Sequence, residues 1–94
     1  MPDDGYTGRA VLTAGDKDIA VEVALGGYFE PIDGRYHWGG RLKPADGLAD
    51  LVRAGIRDAV LRLDGADPAA LRMIDVDPWG GVTVRATGAA PWTE

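Results

Sequence analysis

Apolar and polar residues alternate along most of this chain. Between residues 18 and 25, the isoleucine, the two valines and the leucine fall on one face, while the acidic residues and alanines fall on the other. Strict alternation with a period of two is typical of a strand that buries one face. Residues 7–14 show a similar pattern, and the short, turn-prone segment 15–17 predicts that the two strands form a β-hairpin.

The next segment carries the signals of a second hairpin. The glycine pair 26–27 predicts a break or a bulge. Residues 28–32 are extended and are predicted as an edge or a loop, because Pro31 has no N–H to donate within a central strand. An Asp-Gly pair then favours a turn, since both residue types tolerate positive φ. Residues 35–43 return as a third strand, whose tyrosine and tryptophan share one face.

Residues 44–55 are predicted as a helix. Asp46 is placed to cap its start, leucine and valine follow at helical spacing, and Gly55 suits the left-handed residue that follows a helix. Further strands are predicted over residues 57–64, 69–76 and 82–87, and the tail 88–94 is predicted to be irregular. The alternation in 69–76 is imperfect, which leaves a short helix open there.

These elements predict a mainly β fold with one short helix. About six short strands at close spacing are typical of a small antiparallel meander. A sheet of this size must curl or close to bury both its apolar face and its edges. We therefore expect an open barrel or half-barrel with the helix over one end. The 94 residues fit one domain, residues 1–94, and the strand order stays open.

Charge and composition narrow the range of partners. The net charge of −5 repels phosphate, so neither nucleic acid nor an anionic membrane surface is an expected partner. The chain has no cysteine, which excludes disulfides and thiolate chemistry. That absence, together with an acidic and apolar-poor N-terminus, favours a cytoplasmic location. No apolar run approaches the roughly 20 residues that span a bilayer.

Aromatic and charged residues concentrate in the segment 28–41, which holds the one histidine and the one phenylalanine. Such a segment could form a wall of a ligand pocket, where aromatic rings give contact area and charged groups fix orientation. The alternative is a hairpin whose tyrosine and tryptophan pack in the core while its polar residues face water. The candidate ligand-binding residues are Tyr28, Glu30, Arg35, His37, Trp38 and Trp79.

Histidine is the side chain best suited to proton transfer at neutral pH, and His37 could act as a general base oriented by Glu30, Asp33 or Asp75. The alternative is a histidine that is simply solvated or hydrogen-bonded, because the chain has no serine or cysteine to serve as a nucleophile. One histidine with scattered carboxylates is not a metal-ligand set, and no glycine pair fits a dinucleotide fingerprint. We therefore predict no catalytic residue, no metal and no cofactor.

The segment 75–81 places two carboxylates at the end of a predicted strand. A hard cation such as Ca²⁺ could use them, but the further oxygen ligands of a calcium loop are missing from the segment. The favoured interpretation is that Asp77 opens a turn and that Trp79 covers the core.

The string GYFEPIDGRYHWGGRL, residues 27–42, resembles the actinobacterial domain of unknown function 4873, and the resemblance extends to residues 5–10 and 75–80. Members of that family stand alone or are fused behind flavin-dependent monooxygenases of the Baeyer–Villiger and related types. The resemblance implies an accessory role beside an oxidoreductase, and it carries over no catalytic residue. Because this chain lacks the glycine fingerprint that binds FAD, it is not expected to be the flavin-binding part itself.

Three hypotheses about function remain. The leading one is a non-enzymatic accessory or small-ligand-binding domain, whose partner is a flavin-dependent monooxygenase or a small hydrophobic ligand, and which forms a homodimer or acts on its partner enzyme. The second is a small enzyme in which His37 and a nearby carboxylate act as acid and base. The third is a structural oligomerisation module, driven by an exposed Trp92 and a bare strand edge.

Overall fold

The computed structural model describes residues 5–63, 65–88 and 90–92, and these contain six strands and one short helix. In chain order the elements are β1 (Gly5–Ala14), β2 (Lys17–Glu30), β3 (Arg35–Leu42), α1 (Leu48–Arg53), β4 (Asp58–Leu63), β5 (Ala69–Val76) and β6 (Val82–Thr87). Every predicted strand is present, so the mainly β prediction is confirmed. Residue 64 of the fourth predicted strand and residues 89, 93 and 94 of the predicted tail lie outside the described residues.

The strands close into one antiparallel barrel in the order β1–β2–β3–β6–β5–β4, with β4 pairing back onto β1. Strands that follow each other in the chain form two three-stranded meanders, β1–β2–β3 and β4–β5–β6. The β3–β6 and β1–β4 pairings join these meanders. The prediction of a small antiparallel barrel is confirmed, and the barrel is closed rather than open. Closure gives each of the six strands two neighbours.

Side chains fill the interior of the barrel. On β2, Val21, Val23 and Leu25 are buried as the alternation predicts, and Ile19 packs against them. The other large side chains that are fully buried are Leu12, Leu42, Leu48, Leu61, Met73, Val82 and Val84. A barrel of few strands has an interior just wide enough for its own side chains. Any ligand of this barrel therefore binds on the outer surface.

Strand β2 runs without a break from Lys17 to Glu30, so the predicted break at residues 26–27 is wrong. The glycines allow close packing here, because a Cβ at Gly27 would overlap the hydroxyl of Tyr36. Beyond residue 26, β2 pairs with β3 alone among the described residues. Pro31 follows the strand in the turn formed by residues 31–34, where its missing N–H costs no ladder bond.

Helix α1 is shorter than predicted and is not capped by Asp46. Its N-cap residue is Gly47, with φ of 83° and no side-chain capping bond. The backbone N–H of Leu48 donates to the carbonyl oxygen of Ala45 at 3.1 Å. A separate turn thus occupies the residues before the helix, and the helix begins after the aspartate rather than at it.

The C-terminal end of α1 follows the prediction. Gly55 adopts φ of 94°, and its N–H donates to the carbonyl oxygen of Val52 at 3.0 Å. The N–H of Ile56 donates to the carbonyl oxygen of Leu51 at the same distance, which completes a Schellman motif. Leu48, Leu51 and Val52 are buried and attach the helix to the core. Within the described ranges, no helix has the length and apolarity needed to cross a membrane.

The core is covered by Trp92 rather than by Trp79. The Trp79 side chain is 76% exposed, in a turn where the Asp77 carboxylate accepts the backbone N–H groups of Trp79 and Gly81 at 2.9 Å each. Trp92 instead packs edge-on against Trp38, with ring centroids 5.7 Å apart and planes at 84°. The prediction that Trp79 covers the core is therefore wrong. Trp92 is half-buried, and it is not the exposed residue that the oligomerisation hypothesis needs.

Candidate functional site

The outer face of β2, β3 and β6 carries a surface cavity of 620 Å³, which we call the outer groove. Outward side chains on neighbouring strands form cross-strand rows, because successive side chains of a strand point to opposite faces. Two such rows line the outer groove. One row consists of Tyr28, His37 and Thr87, and the next consists of Gly26, Gly39 and Arg85.

Tyr28 and His37 form a stacked aromatic pair at one end of the outer groove. They lie directly opposite each other in the β2–β3 register, with ring centroids 5.7 Å apart and planes at 21°. The Tyr28 side chain is still 60% exposed. Much of the aromatic surface of this pair therefore remains available to a bound molecule.

Both ring nitrogens of His37 have polar neighbours. Nε2 lies 2.8 Å from Asp33 Oδ2, and Nδ1 lies 3.4 Å from Thr87 Oγ1. Asp33 Oδ1 also accepts the backbone N–H of Arg35 at 2.9 Å, so one carboxylate holds both the turn and the imidazole. The hydrogen bond with His37, followed by the one from Arg35, lowers the pKa of Asp33 below its ordinary value of 3.8. Of the three carboxylates considered from the sequence, Asp33 is the one that contacts His37.

Two glycines leave the centre of the outer groove without side chains. Gly26 and Gly39 face each other in register between β2 and β3. The neighbouring strand β6 comes so close that a Cβ at Gly39 would overlap the carbonyl oxygen of Val84, so packing alone requires glycine here. The two missing side chains expose a strip of bare backbone between the aromatic pair and the strand that carries Arg85.

The outer groove brings together three of the six predicted site residues. Tyr28 and His37 face it with their side chains, as described above. Trp38 borders it, but its ring is only 3% exposed because it points into the core and packs on Trp92. The pocket interpretation and the core interpretation of this hairpin therefore apply to its two opposite faces.

The other three predicted residues lie elsewhere. Glu30 and Arg35 face each other across the end of the β2–β3 hairpin, one row beyond the aromatic pair, and Glu30 Oε1 accepts the backbone N–H of Ile32 at 3.2 Å. Trp79 lies at the opposite end of β3, in the turn that precedes Val82 on β6. The structure does not bring Trp79 to the outer groove.

The sequence reasoning missed the wall that β6 contributes. Thr83, Arg85 and Thr87 point outward from this strand and border the outer groove. Their alternation with buried Val82 and Val84 already predicted outward side chains. The pairing of β6 with β3 joins distant parts of the chain, however, and no local pattern contained it.

A second polar contact lies at the far end of β3. Arg41 Nε donates to Asp77 Oδ2 at 2.5 Å, and this hydrogen bond raises the pKa of Arg41 and lowers that of Asp77. A Cβ at Gly81 would lie 2.5 Å from the Arg41 guanidinium, so glycine makes room for the pair. Asp77 therefore holds a turn and an arginine. The described part of the chain contains no group of three or more side chains that could hold a metal ion.

Stability is expected to fall in acid because of these two carboxylates. Asp33 and Asp77 have lowered pKa values in the folded state, so the unfolded chain binds more protons between the folded and unfolded values. The stabilisation is present above about pH 4 and is lost as the pH falls through the folded pKa. The urea midpoint of Asp77→Asn should change less between about pH 6 and about pH 3 than that of the parent chain. Asp16→Asn, in the exposed β1–β2 turn, is the control; equal pH dependence in both variants would contradict the assignment.

The fold and the groove define a class of protein: a small closed antiparallel barrel with a filled core and a polar, aromatic groove on its outer wall. The chain belongs to the family described as Domain of unknown function (DUF4873), whose model matches residues 3–93. The resemblance seen in residues 27–42 is thereby confirmed.

Three mycobacterial relatives show how this domain occurs in longer proteins. The chain is 36% identical over 90 residues to uncharacterized proteins of Mycobacterium bovis and of two strains of Mycobacterium tuberculosis. Each match covers 96% of this chain but 25% of the relative. The chain thus spans about a quarter of the length of the curated relatives it matches. No solved structure matches the chain.

Proposed function

We propose that this chain is an accessory domain that binds a small planar ligand in the outer groove. The observation that carries the proposal is the cavity of 620 Å³ with an aromatic pair at one end and a strip of bare backbone beside it. Sites for small molecules typically measure about 300–1,000 Å³ and combine aromatic surface with a few polar groups. The pair Tyr28–His37, the glycines and the β6 side chains supply this combination.

The rest of the molecule supports a site in this place. The barrel interior is filled, since Leu12, Leu61 and Met73 are fully buried in it. A surface cavity of 290 Å³ near Glu22 and Lys43 has no aromatic ring in its lining. A cavity of 420 Å³ on β5 and β6 also lacks one. The outer groove is the cavity of these three that offers a planar molecule a stacking surface.

The accessory part of the proposal concerns a larger partner. In the mycobacterial relatives the matching region is 25% of the chain, so there the domain is joined to a much longer stretch of protein. The resemblance implies a flavin-dependent monooxygenase as the partner, and we propose that the barrel holds a small, largely apolar substrate or product for such an enzyme. A purified mycobacterial relative whose visible absorption spectrum shows no bound flavin would contradict this association.

One observation favours a second candidate, a small enzyme. Thr87 Oγ1, the His37 imidazole and the Asp33 carboxylate follow each other at 3.4 Å and 2.8 Å, in the order hydroxyl, imidazole, carboxylate that hydrolases use. The contact from the hydroxyl is longer than a good hydrogen bond to nitrogen. Hydrolysis of 4-nitrophenyl acetate that is lost in both His37→Gln and Thr87→Val would support this candidate. Hydrolysis at the rate of buffer alone would exclude it.

Replacing Tyr28 is expected to remove ligand binding without unfolding the barrel. Saturation at about ten times Kd adds about 1.4 kcal/mol of stability, which raises the Tm of a domain this size by several degrees. With acetophenone and benzoate as probes, the parent chain should show this rise with at least one of them. Tyr28→Ala removes half of the stacked pair, and the rise should then fall to less than half.

The adjacent residue provides a matched control. Phe29 has the same 60% exposure as Tyr28, but it points to the opposite face of β2. Phe29→Ala should therefore keep the full ligand-induced rise in Tm. Equal losses in Tyr28→Ala and Phe29→Ala, or no rise with either probe in the parent chain, would contradict the proposed site.

A further inference from the structure

Arg85 faces the outer groove without a carboxylate partner. It lies on β6 with an exposed side chain, directly opposite Gly39 on β3. The ion pairs among the described residues are His37–Asp33, Arg41–Asp77, Lys43–Glu22 and Arg53–Asp50, and none includes Arg85. Arg41, the other arginine on the outer face of β3 and β6, is therefore committed to Asp77. The Arg85 guanidinium remains available to an anion that enters the groove.

A second arginine makes this place more positive. One cross-strand row runs from β4 to β2 through Asp58, Arg72, Arg85, Gly39 and Gly26. Arg72 and Arg85 face each other directly, and like charges in that position destabilise a sheet. Asp58 lies on the far side of Arg72, so Arg85 has an arginine on one side and a glycine on the other. A bound anion would offset this repulsion, although the chain as a whole carries a net charge of −5.

The space beside Arg85 suits a flat group. Gly39 and Gly26 continue its row as bare backbone, and the Tyr28–His37 pair lies in the neighbouring row. Rows on one face of a sheet are about 7 Å apart, because side chains of one face recur every second residue. That spacing fits a single aromatic ring lying on the strip. Its edge would then contact the stacked pair while a substituent reaches the guanidinium.

We propose that the outer groove binds a planar carboxylic acid of the benzoate type; this inference rests on the proposed function and specifies its ligand. The ring lies on the Gly26–Gly39 strip, and the carboxylate accepts hydrogen bonds from Arg85. A guanidinium matches a carboxylate because two of its N–H groups can donate in parallel. The hydroxyls of Thr83 and Thr87, two residues away on either side, flank the same position on the outer face.

Four probes separate the contributions of charge and of planarity. Benzoate is flat and charged, acetophenone is flat and neutral, cyclohexanecarboxylate is charged but not flat, and inorganic phosphate has charge alone. NMR titration should give benzoate a Kd on the order of 1 mM or lower, as expected for a ligand of this size. Each of the other three should bind at least about fivefold more weakly. Any of the three binding as tightly as benzoate would overturn the planar acid.

Two arginine variants test the contact itself. Arg85→Gln should weaken benzoate binding about tenfold and leave acetophenone unchanged, because it removes the charged hydrogen bonds alone. Arg62→Gln is the matched control, since Arg62 is exposed on β4 opposite Val11 and removes the same charge away from the groove. Equal benzoate affinity in the two variants would overturn the inference and leave the groove as a ligand site. If none of the four probes binds the parent chain, the proposed function fails as well.

Discussion

Gly40→Ala is expected to destabilise the barrel so strongly that little folded protein remains at moderate urea concentrations. A Cβ at Gly40 would overlap the carbonyl oxygen of Ala24 and lie 2.9 Å from the Cα of Leu25, so β2 and β3 would have to move apart. Overpacking of this kind costs about 1–3 kcal/mol, and the φ of 154° adds strain for any residue with a side chain. The sum is a large part of the roughly 5–15 kcal/mol that stabilises a native domain.

Urea unfolding followed by tryptophan fluorescence measures this loss. Gly15→Ala is the control, because Gly15 also has positive φ, 64°, but a Cβ there would meet nothing within 4 Å. It should lose about 1–2 kcal/mol from backbone conformation alone. Gly40→Ala should lose clearly more. If the two variants unfold at the same urea concentration, the close approach of β2 and β3 is not what holds the barrel closed at this position.

Trp38→Ala is expected to have an effect of similar size. The Trp38 ring is 3% exposed and packs edge-on against Trp92, so its removal leaves a large cavity and takes away the surface on which the chain end rests. Truncation of a buried tryptophan costs about 3–5 kcal/mol. The free energy of unfolding from urea titration should fall by that amount, and the near-ultraviolet circular dichroism of the two packed tryptophans should weaken.

Trp79→Ala makes the same chemical change on the surface. Its side chain is 76% exposed, so the loss should stay within about 0.5 kcal/mol. The comparison also tests the corrected assignment of the residue that covers the core. A larger loss in Trp79→Ala than in Trp38→Ala would return that place to Trp79.

Local patterns were enough to predict the strands but not the places where distant strands meet. The alternation of Val21, Val23 and Leu25 predicted a buried face because period two has one structural meaning. The glycine pair at 26–27 looked like a break, since a glycine signals weakness unless its neighbour is known. Tyr36 of the paired strand is that neighbour, and its position depends on the hairpin register.

The candidate site shows the same limit. The cluster of aromatic residues in one hairpin indicated Tyr28 and His37, and their register brings the two rings together. Arg85 could not be included, because it reaches the groove only through the β3–β6 pairing. Trp79 was included on residue type alone, and the turn that Asp77 holds places it at the other end of β3.

A map of backbone amide chemical shifts tests the ligand site most directly. ¹⁵N-labelled protein would be titrated with benzoate and with acetophenone, and the residues with the largest shift changes would be identified. The account predicts that these are residues of the outer groove, with Gly39 and Arg85 among them. The largest changes at Glu22 and Lys43, beside the smaller cavity on another part of the barrel, would contradict it.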